Sequence, residues 1–158
     1  MAKVKVTAKF DILDNIEKLL DPGTADEVGE TIVEGAKEMI ADGISPVRGH
    51  GRFESYKDKD KYPGNQKPPK PVNLNLSGDM LKAFTFERTN PQTVKVGIIG
   101  ASDEIETRAK AHNSGTDDMA MRRFIPQAGE EWAVSIMRKL REVYRKRLDF
   151  LIKQSNKK

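Results

Sequence analysis

Two alternating runs, Phe84-Thr85-Phe86-Glu87-Arg88 and Thr93-Val94-Lys95-Val96-Gly97-Ile98-Ile99, stand either side of Asn90-Pro91-Gln92. Alternation with period two puts Val94, Val96 and Ile98 on one face, and the Asn-Pro pair turns the chain, so the segment predicts a β-hairpin. A lone hairpin is at best marginally stable in water, so its apolar face demands a cover. The rest of the sequence offers helices for that cover.

Lys3 to Lys9 alternates Lys-Val-Lys-Val-Thr-Ala-Lys and predicts a short strand, with a helix start as the second choice. Phe10, Leu13, Ile16 or Glu17, and Leu20 recur at helical spacing until Asp21-Pro22-Gly23, read as a stop. A second helix is expected from Thr24 or Asp26 as N-cap, with Val28, Ile32, Ala36, Met39 and Ile40 as its apolar stripe and Gly43 just past its end. Ser77 is expected to cap a short helix carrying Met80, Leu81 and Phe84. Ser102, followed by Asp103 and Glu104, opens a helix with Ile105, Ala109 and His112 on one face. Asn113-Ser114-Gly115 stops it. A final helix is expected from about Gln127 to Ile152, striped by Trp132, Ile136, Leu140, Val143 and Leu151. The expected fold is α+β: a small antiparallel sheet built on the hairpin, several helices including a long C-terminal one, and a long irregular loop. A length of 158 residues predicts one domain, 1–158, with a frayed, disordered tail at 153–158.

The irregular stretch begins Ser45-Pro46-Val47-Arg48-Gly49-His50-Gly51-Arg52-Phe53. From Tyr62 to Val72 no apolar side chain intervenes except proline, so 53–73 is expected to be a long flexible loop, too polar to offset its own ordering entropy. Loops of that length are commonly functional. Arg52, Tyr56, Lys57, Lys59, Lys61 and Tyr62 are its candidate assembly residues. Gly49 and Gly51 lack the following Lys-Ser/Thr of a phosphate loop.

Charge is distributed unevenly. Residues 1–46 hold five Lys against ten Asp and Glu, a net −5, whereas residues 122–158 hold eleven Lys and Arg against four acids, a net +7. A basic end attracts phosphates, and the same asymmetry suits head-to-tail contact between copies; a solvated helix face is the plain alternative. There is no Cys and there are two His, which excludes disulfides and cysteine-based chemistry and argues against a His-rich metal site. No metal, cofactor or catalytic residue is expected. The most enzyme-like grouping is His112 with Asp117 or Asp118, or Asp58 with Asp60, and none has a nucleophile or metal partner at a telling spacing. His112 is expected to be a core-edge residue bonded to backbone. The start MAKVKVTAKFDILD has no apolar signal core and no run approaches a membrane span, so no membrane role is expected.

The order of elements resembles the virion morphogenesis and tail-completion proteins of tailed bacteriophages, the neck proteins between head and tail. Leu76-Ser77-Gly78-Asp79-Met80-Leu81 is similar to that group's Leu-x-x-(Ser/Thr)-Gly-x-Leu before the hairpin. Ala111-His112-Asn113-Ser114-Gly115 is similar to the Ala-x-x-(His/Gln)-x-x-Gly after it, and Arg122-Arg123-Phe124-Ile125-Pro126 to the (Arg/Pro)-Arg-Phe-Leu ahead of the last helix. Ser45-Pro46 is like the Ser-Pro that follows the second helix there. Met80 lengthens the first motif by one residue, and Pro126 stands where the group often has Gly.

The resemblance implies a structural virion protein, not an enzyme: a homo-oligomeric ring of about six or twelve copies that joins head connector to tail around the DNA channel. It implies neck, connector and tail proteins as partners, incidental contact with packaged DNA, and assembly in the host cytoplasm. Arg122, Arg123, Phe124, Arg138, Arg141 and Arg145 are the candidate interface residues. Arg122-Arg123-Phe124 is expected to be either an edge strand at a subunit contact or a local strand tethering the last helix to the sheet. A small basic nucleic-acid-binding protein using the C-terminal helix is the alternative function.

Overall fold

The computed structural model describes residues 3–5, 21–55, 72–74, 78–91 and 93–156. Within them three antiparallel strands, β1 (Lys3–Lys5), β2 (Phe84–Asn90) and β3 (Thr93–Ile98), lie in the order β1-β3-β2. The hairpin register pairs Phe84 with Ile98, Phe86 with Val96 and Arg88 with Val94, and a bulge falls between Arg88 and Asn90. Val94, Val96 and Ile98 are buried as their alternation requires. β1 covers only part of the strand expected over Lys3 to Lys9; the remainder, and the helix expected at Phe10 to Leu20, lie outside the described residues.

Helix α1 (Pro22–Ala41) covers the sheet. It starts earlier than its sequence suggests. Asp21-Pro22-Gly23 is a start: the Asp21 carboxylate accepts the Thr24 N–H at 2.7 Å, and Pro22 occupies the first turn, where its missing N–H costs nothing. The expected stripe is buried at Val28, Ile32, Ala36 and Ile40, with Met39 packed at its edge. At the far end Gly43 takes φ 71°, Ile44 N–H donates to Met39 O and Gly43 N–H to Ile40 O, a Schellman stop. Gly29 lets β2 come close: a Cβ there would lie 2.3 Å from the Phe86 ring.

Helix α2 (Asp79–Ala83) is a short link whose N-cap is Gly78 at φ 80°, not Ser77. Ser77 lies outside the described residues. Phe84, expected on that helix, begins β2; it is fully buried and meets Phe124 edge-on at 6.1 Å. Helix α3 (Asp103–Ser114) begins after Ser102, which caps by position but makes no side-chain bond, and buries Ala109.

Helix α4 (Val134–Ser155) begins seven residues later than Gln127 and runs into the expected frayed tail. The delay has a cause: Gly129 takes φ 84°, and Ala133 is extended at φ −55°, ψ 151°. Trp132 therefore lies before the helix, in an antiparallel bridge with Val47, and is buried there. Ile136, Leu140 and Val143 form the buried stripe, and Leu151 is half-buried. α1 and α4 run antiparallel: Lys139 near the start of α4 meets Glu38 at 2.6 Å, and Arg147 farther along meets Asp21. No helix among the described residues is long and apolar enough to cross a membrane.

Candidate functional site

Three of the four stretches that carry the resemblance, Ser45-Pro46, Ala111 to Gly115 and Arg122 to Pro126, meet at one buried junction. Asn113, in the last turn of α3, directs its side chain at residues 124 and 125. Its Oδ1 accepts from the Phe124 N–H at 2.9 Å and the Ile125 N–H at 2.8 Å, and its Nδ2 donates to Ile125 O at 3.0 Å. One amide thus serves three backbone groups of a segment that has no ladder partner of its own. The segment 120–125 forms neither kind of expected strand. It is held by side chains instead: Ser45 Oγ donates to Arg123 O at 2.5 Å and accepts from the Val47 N–H at 3.1 Å. The backbone adds Arg122 N–H to His112 O, Arg48 N–H to Glu131 O and Ala133 N–H to Pro46 O.

The loop after α1 is more ordered than its Gly and Arg content suggests. Ser45 N–H donates to Gly51 O and Phe53 N–H to Gly43 O, with Gly49 and Gly51 both at positive φ. These contacts close a small bridged turn and pin Ser45 beneath Arg123.

Arg122 is 1 % exposed. Its Nε donates to Glu54 O at 3.0 Å and its Nη2 to Ser55 O at 3.2 Å, so the guanidinium grips the chain just before the Lys/Pro-rich segment. Val72 and Leu74, just after that segment, are buried. Arg123 is nearly covered and faces Glu130 at 3.3 Å, without the alignment of a hydrogen bond. Glu130 also meets His50 at 3.0 Å and accepts the Gln127 N–H at 2.8 Å. Burial raises the Glu130 carboxyl, but the Gln127 and His50 hydrogen bonds and the Arg123 charge outweigh it and hold it below the usual carboxylate range. Arg122 and Phe124, expected at an interface, are therefore fully used inside the fold.

His112 sits against this cluster. Burial, then the charges of Arg122 and Arg108, push its pKa down to about 4. It lies at the edge of the core as expected, but its Nδ1 has no hydrogen-bond partner among the described residues, whereas a bond to backbone was expected of the ring. Asp117 and Asp118 are exposed, and no hydrogen bond or ion pair joins His112 to either. A cleft of about 450 Å³ opens between α3 and residues 125–128, lined by Ile98, Ala109, Asn113 and Ile125 with Glu106 and Lys110. Among its polar lining, the Asn113 amide is already engaged with the backbone.

The remaining interface candidates lie on α4. Arg138, Arg141 and Arg145 are all exposed, and none forms an ion pair among the described residues. Of the assembly-loop residues, Arg52 is exposed and donates to Asp42 O at 3.3 Å, whereas Tyr56, Lys57, Lys59, Lys61 and Tyr62 lie outside the described residues. Sequence reasoning missed Asn113 and Ser45 as structural keys, because their partners stand 11 and 78 residues away. No family model, curated protein or solved structure matches the chain.

Proposed function

We propose that this chain is a structural protein of a tailed-bacteriophage virion, of the neck or tail-completion type, acting as one copy of a ring between head connector and tail. The observation that carries the reading is the junction itself. The Ser-Pro, Ala-His-Asn-Ser-Gly and Arg-Arg-Phe stretches, picked out by resemblance alone, touch one another through Ser45, Asn113 and the backbone of residues 122–125. Their work there is architectural: they set the start of α4 and root the Lys/Pro-rich segment. Such a part suits a protein whose task is to present surfaces to neighbours.

Light scattering of the purified chain across concentration and salt, with negative-stain images, tests the ring. Mass spectrometry of purified virions tests its place. Closed particles of about six or twelve copies, and the chain in the virion neck, support the reading. Absence of the chain from virions refutes it.

The row Arg138, Arg141 and Arg145 favours a second reading, a nucleic-acid-binding protein using α4. DNA affinity that falls steeply with salt, by a slope of about −0.9 per phosphate neutralised, would favour it.

A further inference from the structure

Helix α4 has a face that nothing among the described residues covers. Arg138, Arg141 and Arg145 stand at i, i+3 and i+7 and so share one side of the helix. Val134, 56 % exposed, and Ile152, 47 % exposed, bracket the row on that side. The side turns away from α1, which α4 meets through Ile136, Lys139 and Arg147.

Helix α1 has a matching row. Glu27, Glu30 and Glu34 also stand at i, i+3 and i+7, are exposed, and form no ion pair among the described residues. Because the intervals are the same, the rows align pair for pair only when the two helices run parallel. Within one chain α1 and α4 run antiparallel. The matching row therefore belongs to a different copy.

We propose that α4 of one copy docks on α1 of a second copy, helices parallel, with Arg138 against Glu27, Arg141 against Glu30 and Arg145 against Glu34. The three pairs span about 10 Å of helix. The same register lays Val134 over Gly23 and Ile152 over Ala41, both exposed and small, so an apolar contact closes each end of the charged row. Asp149 falls opposite Glu38, whose charge Lys139 already balances at 2.6 Å. Each copy offers one face of each sign, so the contact is heterologous and propagates until it closes. Exposed ion pairs are individually weak, so the contact is sensitive to salt and gains from closure, when every copy is held twice. This deepens the ring reading and rests on it only for closure and for place in the virion.

The test is self-association of the full chain by sedimentation at ~0.01 M salt, where the Debye length is ~30 Å, and at ~1 M, where it is ~3 Å. Wild type is expected to associate at low salt and to dissociate at high salt. R141E and E30R, both at exposed positions, are each expected to weaken association by about tenfold or more, with unchanged circular dichroism and melting. Mixing the two variants is expected to restore association, because alternating copies then meet opposite charge on both sides. A wild-type chain monomeric at low salt, variants that associate like wild type, or a mixture that fails to recover overturns the pairing. R141E that loses DNA affinity while self-associating normally also overturns it, and makes nucleic acid the occupant of the face. The two readings fail separately: a wrong pairing leaves virion incorporation of R141E undiminished, whereas a wrong neck assignment leaves the charge-swap result intact and the chain absent from virions.

Discussion

Asn113 binds three backbone groups that no other described residue serves, and its site is 9 % exposed. Asn113→Ala leaves two N–H groups and a carbonyl without partners at the junction, so it is expected to cost about 3 kcal/mol in urea unfolding. A loss below about 1 kcal/mol would mean that water replaces the amide and that the junction is held elsewhere. His112, a neighbour in sequence, makes the junction sensitive to acid. Its pKa is about 4 in the fold, against about 6.5 in the unfolded chain, because burial and then Arg122 and Arg108 disfavour the charged ring. The unfolded chain therefore binds more protons between those values. Stability is complete above pH ~6.5 and falls as pH drops toward ~4, by as much as about 3 kcal/mol. His112→Gln is expected to flatten that part of the pH–stability curve; an unchanged slope would place the acid sensitivity in other groups. Burial raises the Tyr144 pKa instead, to about 12, because desolvation disfavours the phenolate; its hydroxyl has no partner among the described residues.

At the scale of elements, the contact of α1 with the hairpin turns on one missing side chain. Gly29→Ala gains up to ~1 kcal/mol of helix propensity but puts a methyl 2.3 Å from the Phe86 ring, and overpacking of that kind costs about 1–3 kcal/mol. The clash is expected to win, lowering the melting temperature, and Phe86→Leu in the same chain is expected to recover part of the loss. Gly35→Ala is the control: its methyl would stand 3.1 Å from Ile136 Cγ1, a contact that small adjustments relieve, so it is expected to be close to neutral. If both glycine variants behaved alike, close approach to Phe86 would not be what fixes Gly29. The hairpin and the α1 stripe were legible in sequence because period two and period 3.6 are local properties. The start of α4 was misplaced for the opposite reason. Trp132 fits the helical stripe by spacing, but its bridge to Val47, 85 residues earlier, holds it outside the helix, alongside the non-helical backbone at Gly129 and Ala133.

On the scale of the whole molecule, the described residues on either side of the Lys/Pro-rich segment are each tied to the fold. Arg122 holds Glu54 and Ser55 on one side, and Val72 and Leu74 are buried on the other. Deleting Lys57 to Lys70 spares all four anchors, so the shortened protein is expected to keep its circular dichroism and melting temperature while failing to enter virions. An unfolded deletion variant would make the segment part of the core, and normal incorporation would remove it from assembly. The sequence by itself determined the α+β class, the hairpin, the stripes of α1 and α4 and the opposed charge of the two ends, because each is written in spacing or composition. Tertiary structure alone decided that Arg122 and Phe124 are interior ties while Arg138, Arg141 and Arg145 remain outside. Spacing shows which side chains share a face; what lies across from that face depends on segments brought together from far along the chain.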